Sequence, residues 1–221
     1  MKKKLFWMAG FFVLLVTAFY FFVFSGTDYY KAKLPVLAYV PGFSFTGQNG
    51  TEVNQYNVEG KVYVSEFFFT TCKGICPKMN KNMKTVFERF KNESDFAIVS
   101  HTSMPETDSV PLMKIYEEKM LGRDQAFAAK WYFVTGIKDS LYNMARRYLL
   151  DNDKNNNINV RDHFIHTQFF ALVDKQRRVR GIYDGLKAVD LERMEKDIKK
   201  LLREPADNRS FNHSPFNNDP S

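Results

Sequence analysis

Short apolar runs alternate with amphipathic stretches through most of the chain, and that alternation reads as strands followed by helices. Residues 62–69 (VYVSEFFF) are β-branched and aromatic and end in Thr70-Thr71, which predicts a buried strand. Directly after it, Pro77 suits a first helical position. Met79, Met83, Val86, Phe87 and Phe90 then recur at three- and four-residue spacing, the mark of a helix with one apolar face. The same reasoning gives a strand over 96–100, a helix over 110–121, a strand over 131–135 and a helix over 140–150. Residues 168–174 and 178–183 read as two strands joined through Lys175, Gln176 and Arg177, a β-hairpin. A closing helix over 191–202 has Leu191, Met194, Ile198 and Leu201 as its inner stripe, Asp190 as its N-cap and Pro205 as its stop. Alternating strands and helices that end in an antiparallel hairpin and a helix imply an α/β domain with a central mixed sheet flanked by helices.

The N-terminal run follows a different rule. Residues 5–24 (LFWMAGFFVLLVTAFYFFVF) are twenty consecutive positions without a charge, the length a helix needs to cross about 30 Å of hydrocarbon. They predict one N-terminal transmembrane helix. A cleaved signal peptide shares the basic start, but its apolar stretch is only roughly 7 to 15 residues long. Lys2, Lys3 and Lys4 hold the start in the cytoplasm by the positive-inside rule. The expected arrangement is therefore single-pass, in an inner (cytoplasmic) membrane, with the domain facing the periplasm or another extracytoplasmic side. The expected boundaries are a membrane anchor over 1–27, a tether over 28–35, the α/β domain over 36–203 and a polar, disordered tail over 204–221.

With 221 residues and 44% hydrophobic content, the chain can bury one ordinary core beside that anchor. Three of its seven net positive charges are on the N-terminal lysines, which leaves +4 for everything else. The remaining Lys and Arg are interspersed with Asp and Glu, so no nucleic-acid partner is expected.

The chain has two cysteines, Cys72 and Cys76, four residues apart in TTCKGICPKMN where the strand gives way to the helix. Backbone N–H groups and the positive end of a helix dipole favour thiolate there, and thiolate is both the metal ligand and the redox nucleophile. Gly74 is expected to let the loop turn tightly. A structural disulfide is the plain alternative, although closing so short a loop stabilises little. A metal held by two thiolates needs a further ligand, and the histidines are His101, His163, His166 and His213. His166 comes just before the strand expected over 168–174, and His213 lies in the tail. Two thiolates and an imidazole make a soft, low-coordinate set that suits Cu(I) and tolerates Cu(II), whereas structural zinc asks for a fourth ligand.

FFFTTCKGICPKMN resembles the Sco/SenC signature of an apolar strand, a Cys-x-x-x-Cys-Pro motif and a helix. WYFVTG (131–136) is similar to that family's Trp-x-x-Leu-Thr-Gly strand. IHTQFFALVDKQRRVRGIYDG (165–185) is similar to its His-Thr segment, hairpin and Arg-Gly-x-Tyr-Asp-Gly ending. The resemblance spans residues 36–203 and implies a thioredoxin-like fold, an order the predicted elements share. It implies copper as the metal and Cys72, Cys76 and His166 as its ligands. It further implies a membrane-tethered assembly factor that delivers copper to the binuclear copper centre of a cytochrome c oxidase subunit, or maintains that centre's thiols. On that reading the chain is a metallochaperone rather than an enzyme. The alternative is a thiol-disulfide oxidoreductase, a reductase whose redox pair Cys72 and Cys76 closes to a disulfide when oxidised.

One stretch departs from the family pattern. Members commonly carry Ser-Val-Asp-Pro after the second strand, where this chain has Ser100-His101-Thr102-Ser103-Met104-Pro105, and the match resumes at Asp108. That leaves open whether His101 touches the site, whether His163 substitutes as a ligand, and whether Asp162 orients His166. Asp151, Asp153, Asn155, Asn157 and Asp162 imitate the rhythm of a calcium loop. Asn156 stands where the glycine belongs and a strand follows instead of a helix, so a solvated Asn-rich loop is expected. Met79 and Met83 share a helix face with Val86 and Phe90, which assigns them to the core and not to the metal.

Overall fold

Residues 2–24, 34–123, 126–151 and 167–205 are described by the computed structural model. The chain divides into two units, Met1–Leu34 and Pro35–Ser221. In the first, α1 (Lys2–Phe24) is a helix of 23 residues whose described side chains are exposed. Among the described residues no helix is long and apolar enough to cross a membrane. Most of the expected tether, and the tail beyond residue 205, lie outside the described residues.

The second unit contains β1 (Ala38–Tyr39), β2 (Ser44–Gly47), β3 (Glu52–Asn54), β4 (Val62–Phe68), α2 (Cys76–Phe90), β5 (Phe96–Thr102), α3 (Val110–Leu121), β6 (Lys130–Thr135), α4 (Lys138–Arg147), β7 (Phe169–Val173), β8 (Arg178–Asp184) and α5 (Ala188–Arg203). The strands form one eight-stranded sheet in the order β1-β8-β7-β4-β5-β6-β2-β3. β4, β5 and β6 pair in parallel. β4 pairs antiparallel with β7, and the hairpin partner β8 follows. The expected mixed sheet is therefore present.

Every residue of β4 and β5 is buried. Both faces of these central strands are covered, which is why their sequences read as continuous apolar runs instead of alternating ones. On one face, Phe96 packs on Phe90 of α2 with ring centroids 5.2 Å apart, Trp131 on Phe87 at 5.4 Å, and Phe68 on Tyr116 of α3 at 5.2 Å. The stripe Met79, Met83, Val86, Phe87 and Phe90 is buried throughout, each side chain contributing about 1.5–3 kcal/mol of transfer free energy. On the other face, Ala97 and Val99 cluster with Phe45, Leu141, Tyr142 and Tyr148, bringing α4 and β2 against the sheet.

Three details differ from the sequence reading. Strands β1 to β3 were not foreseen; they are two to four residues long, and β2 alternates exposed and buried positions. α4 stops at Arg147 and does not reach 150, because Leu149 adopts a left-handed φ of 61°. Asp190 is not the N-cap of α5: Lys187 takes that place, and Asp190, in the first turn, accepts the Asp184 N–H at 3.0 Å.

Candidate metal and redox site

The carboxyl end of β4 runs into a loop over 69–75 and then into α2, and this junction presents both cysteines as free thiols, Cys72 half-buried and Cys76 buried. Cys76 is the first residue of α2, followed by Pro77. Ile75, already in the α conformation, accepts the Lys78 and Met79 N–H groups at 3.1 and 3.0 Å, so the helix grows directly out of the loop with no side-chain cap. The Cys72 N–H donates to the Phe69 carbonyl at 3.3 Å. Gly74 is not needed for the turn: its φ is not left-handed, and a Cβ there would meet nothing within 4 Å.

Two ties hold the loop. Buried Asp108 accepts the Thr70 N–H at 3.2 Å, the Thr70 hydroxyl at 2.6 Å and the Thr102 hydroxyl, pinning the start of the loop to the end of β5. On the other flank, Asn82 of α2 donates to the Gly185 carbonyl at 2.7 Å. Gly185 is obligatory, since a Cβ there would come 2.5 Å from the Phe170 ring and 2.9 Å from the Gln168 carbonyl.

A polar floor lies beneath the cysteines. The Trp131 indole N–H donates to Ser100 Oγ at 2.8 Å, and Ser100 donates to Glu66 Oε1 at 2.6 Å. Glu66 Oε2 and Asn80 Oδ1 are buried with no hydrogen-bond partner among the described residues, while the Asn80 amide donates to the Tyr116 hydroxyl. Burial pushes the Glu66 carboxyl up to about 7, against the hydrogen bond from Ser100. Burial, then the adjacent Cys72 sulfur, push the Cys76 thiol up to about 12; the Phe69 backbone opposes this and the Glu66 charge adds to it. The expected thiolate at the helix terminus is therefore not the resting state of Cys76. Desolvation outweighs the helix dipole, and an incoming cation or oxidant has to displace a proton.

His101 does not reach this site. It lies on the opposite face of β5 from Ser100, stacked on Phe67 at 4.9 Å and edge-on to Phe45 at 5.4 Å. His166, His163, Asp162 and His213 lie outside the described residues, as does the Asp- and Asn-rich loop beyond Asp151. Among the described residues no group of three His, Cys, Asp or Glu side chains is placed to hold a metal ion. Met79 and Met83 are core residues, as expected. Glu66 and Asn80 were missed by the sequence reading. Their signals were a carboxylate inside an apolar strand and an amide on an apolar helix face.

The SCO1/SenC family pattern matches residues 32–203. The chain belongs to the SCO1/SenC family. It is 27% identical over 172 residues to the SCO1 protein homolog of Bacillus subtilis (strain 168), covering 76% of this chain and 86% of that relative. A solved structure of BsSco, a member of the Sco family of cytochrome c oxidase assembly proteins in which a disulfide switch was identified, is 26% identical. It superposes with a TM-score of 0.62 over 77% of this chain and 98% of that one. ScoI of Arabidopsis thaliana, solved with copper bound, is 21% identical, with a TM-score of 0.56 over 74% of this chain and 99% of that one; it shows the shared fold. The thioredoxin-like fold expected from the sequence is the fold of these Sco proteins.

Proposed function

We propose that this SCO1/SenC protein is a membrane-anchored copper-binding assembly factor. Cys72, Cys76 and His166 hold copper as cargo and deliver it to the binuclear copper centre of a cytochrome c oxidase subunit, or maintain that centre's thiols. The observation that carries this reading is the pair of unbridged cysteines four residues apart at the β4–α2 junction of a Sco fold. The donor chemistry fits the metal, since thiolates select Cu(I) and an imidazole also accommodates Cu(II). His166 immediately precedes Thr167, and β7 begins two residues later on the strand that pairs with β4, which supports it as the third ligand. Cys76 gives up its proton as it takes the metal, and half-buried Cys72 is the ligand an incoming client thiolate replaces first. The 23 residues of α1 extend about 34 Å, and the uncharged sequence over 5–24 supports insertion in the inner membrane with the domain on the periplasmic side.

A second reading, a thiol-disulfide oxidoreductase, is favoured by the unequal exposure of the two thiols. Cys72 would attack a client disulfide and Cys76 would resolve the mixed disulfide, ending as a Cys72–Cys76 disulfide with the client reduced by two electrons. His166→Ala separates the two readings. A copper carrier loses metal retention in that variant while its dithiol stays titratable; a reductase still reduces a disulfide client at the wild-type rate.

A further inference from the structure

On its loop and α2 side the cysteine pair is bordered by four lysines that no described residue pairs with. Lys73, between the two cysteines, is exposed, as are Lys78 and Lys81 on α2, and Lys84 is half-buried one turn further on. The spacing of 78, 81 and 84 places them along one outward stripe of the helix, opposite the buried stripe that starts at Cys76. Among the described residues none of the four makes an ion pair. Among the described residues, Glu106 pairs with Lys138, Asp184 with Lys187 and Glu88 with Lys91. This arrangement runs against helix electrostatics. α4 and α5 carry Asp139 and Asp190 in their first turns and basic residues in their last, as the macrodipole prefers. α2 has no acid in its first turn and carries Lys78 in that turn and Lys81 in the next. Local stability does not account for that placement.

We propose that Lys73, Lys78, Lys81 and Lys84 form a docking collar for a protein client whose copper-accepting or disulfide-bearing site is edged by Asp and Glu. The proposal rests on the function given above, in which Cys72 and Cys76 exchange with a client, and it adds the chemistry by which that client is recognised. A protein is favoured over anionic lipid by the position of the collar, because a membrane pressed onto it also covers Cys72, the thiol that exchange uses. Complementary charge at the rim acts mainly on the encounter rate, raising it by about 10-fold or more at low salt. The advantage fades as the screening length falls to about 3 Å near 1 M salt.

The test uses the full chain in neutral detergent, reduced at Cys72 and Cys76, against two synthetic peptides with an internal disulfide. One has Asp and Glu flanking its cysteines and the other Asn and Gln. The protein dithiol becomes a disulfide, and its two electrons and two protons go to the peptide. The acidic peptide is expected to react about 10-fold faster than the neutral one at low salt, with the ratio falling toward 1 near 1 M salt. The combined Lys78→Glu, Lys81→Glu and Lys84→Glu variant is expected to lower that ratio to 1 or less; the corresponding Gln variant, which keeps the helix without its charge, is expected to give an intermediate value. Equal rates for both peptides with the wild type, or an acidic preference that survives in the Glu variant, overturns the collar. So does a result in which phosphatidylserine vesicles, and not phosphatidylcholine vesicles, block reaction with both peptides, since the collar's occupant is then lipid. A separate Cu(I) titration reports on the metal reading: failure to bind copper, with the acidic preference intact, refutes copper carriage and leaves the collar standing.

Discussion

His101 offers a quantitative check on how the core is built. Its ring is fully buried, with Ser65 Oγ 3.3 Å from Nδ1 and, among the described residues, no hydrogen-bond partner for Nε2. Burial lowers its affinity for a proton from the ordinary 6.5 to about 3, against weaker support from the Glu66 and Val99 backbone. Below pH 6.5 the unfolded chain takes up a proton that the native state refuses, so stability is fully present above 6.5 and is lost as pH falls toward 3. The loss is about 1.4 kcal/mol per pH unit, or about 2 kcal/mol at pH 5. His101→Phe keeps the aromatic contact with Phe67 and cannot titrate. It gives up one long hydrogen bond worth about 1 kcal/mol and removes an unsatisfied buried nitrogen whose cost is similar, so the two proteins are expected to be nearly equal at pH 7.5. At pH 5 the variant is expected to be ahead by about 2 kcal/mol. Urea unfolding followed by the fluorescence of buried Trp131, in neutral detergent at pH 7.5, 6 and 5, measures this. Parallel pH dependences in wild type and variant would refute the burial argument.

Three further outcomes follow from the site. In the reduced, metal-free protein at pH 7, iodoacetamide is expected to modify Cys72 well before Cys76, whose thiol is buried and raised to about 12; peptide mapping that finds equal labelling contradicts this. Glu66 titrates the other way from His101, because its raised native value near 7 makes the protein lose about 3 kcal/mol as pH rises from 5 to 8. Glu66→Gln should flatten that slope, and an unchanged slope assigns the loss to another group. Asp108→Asn places an amide donor among the Thr70 and Thr102 donors, so its unfolding free energy should fall by about 1–3 kcal/mol; an unchanged urea midpoint removes Asp108 as the anchor of the cysteine loop.

Much of the domain was legible because its central elements carry strong periodicity. The uninterrupted VYVSEFFF run and the Met79-to-Phe90 stripe fixed β4 and α2, and between them the cysteine junction. β1, β2 and β3 were illegible for the opposite reason. They are too short to show a period, and pairing with β8 and β6 holds them in place more than their own composition does. At the site, the cysteines announced themselves, but their protonation did not. Helix-end electrostatics is visible in a sequence, whereas the burial of Cys76 over Glu66 depends on which strand and helix faces meet. The same holds for His101: a one-residue step along β5 puts it on the far side of the sheet from Ser100.

The central claim is that the cysteine pair carries copper, and anaerobic Cu(I) titration of the reduced full chain against a competing chelator tests it most directly. One ion per chain, held tightly and weakened in each of Cys72→Ala, Cys76→Ala and His166→Ala, is the result expected. A reduced wild-type protein that leaves all the Cu(I) with the chelator would contradict the claim and leave thiol-disulfide exchange as the work of these cysteines.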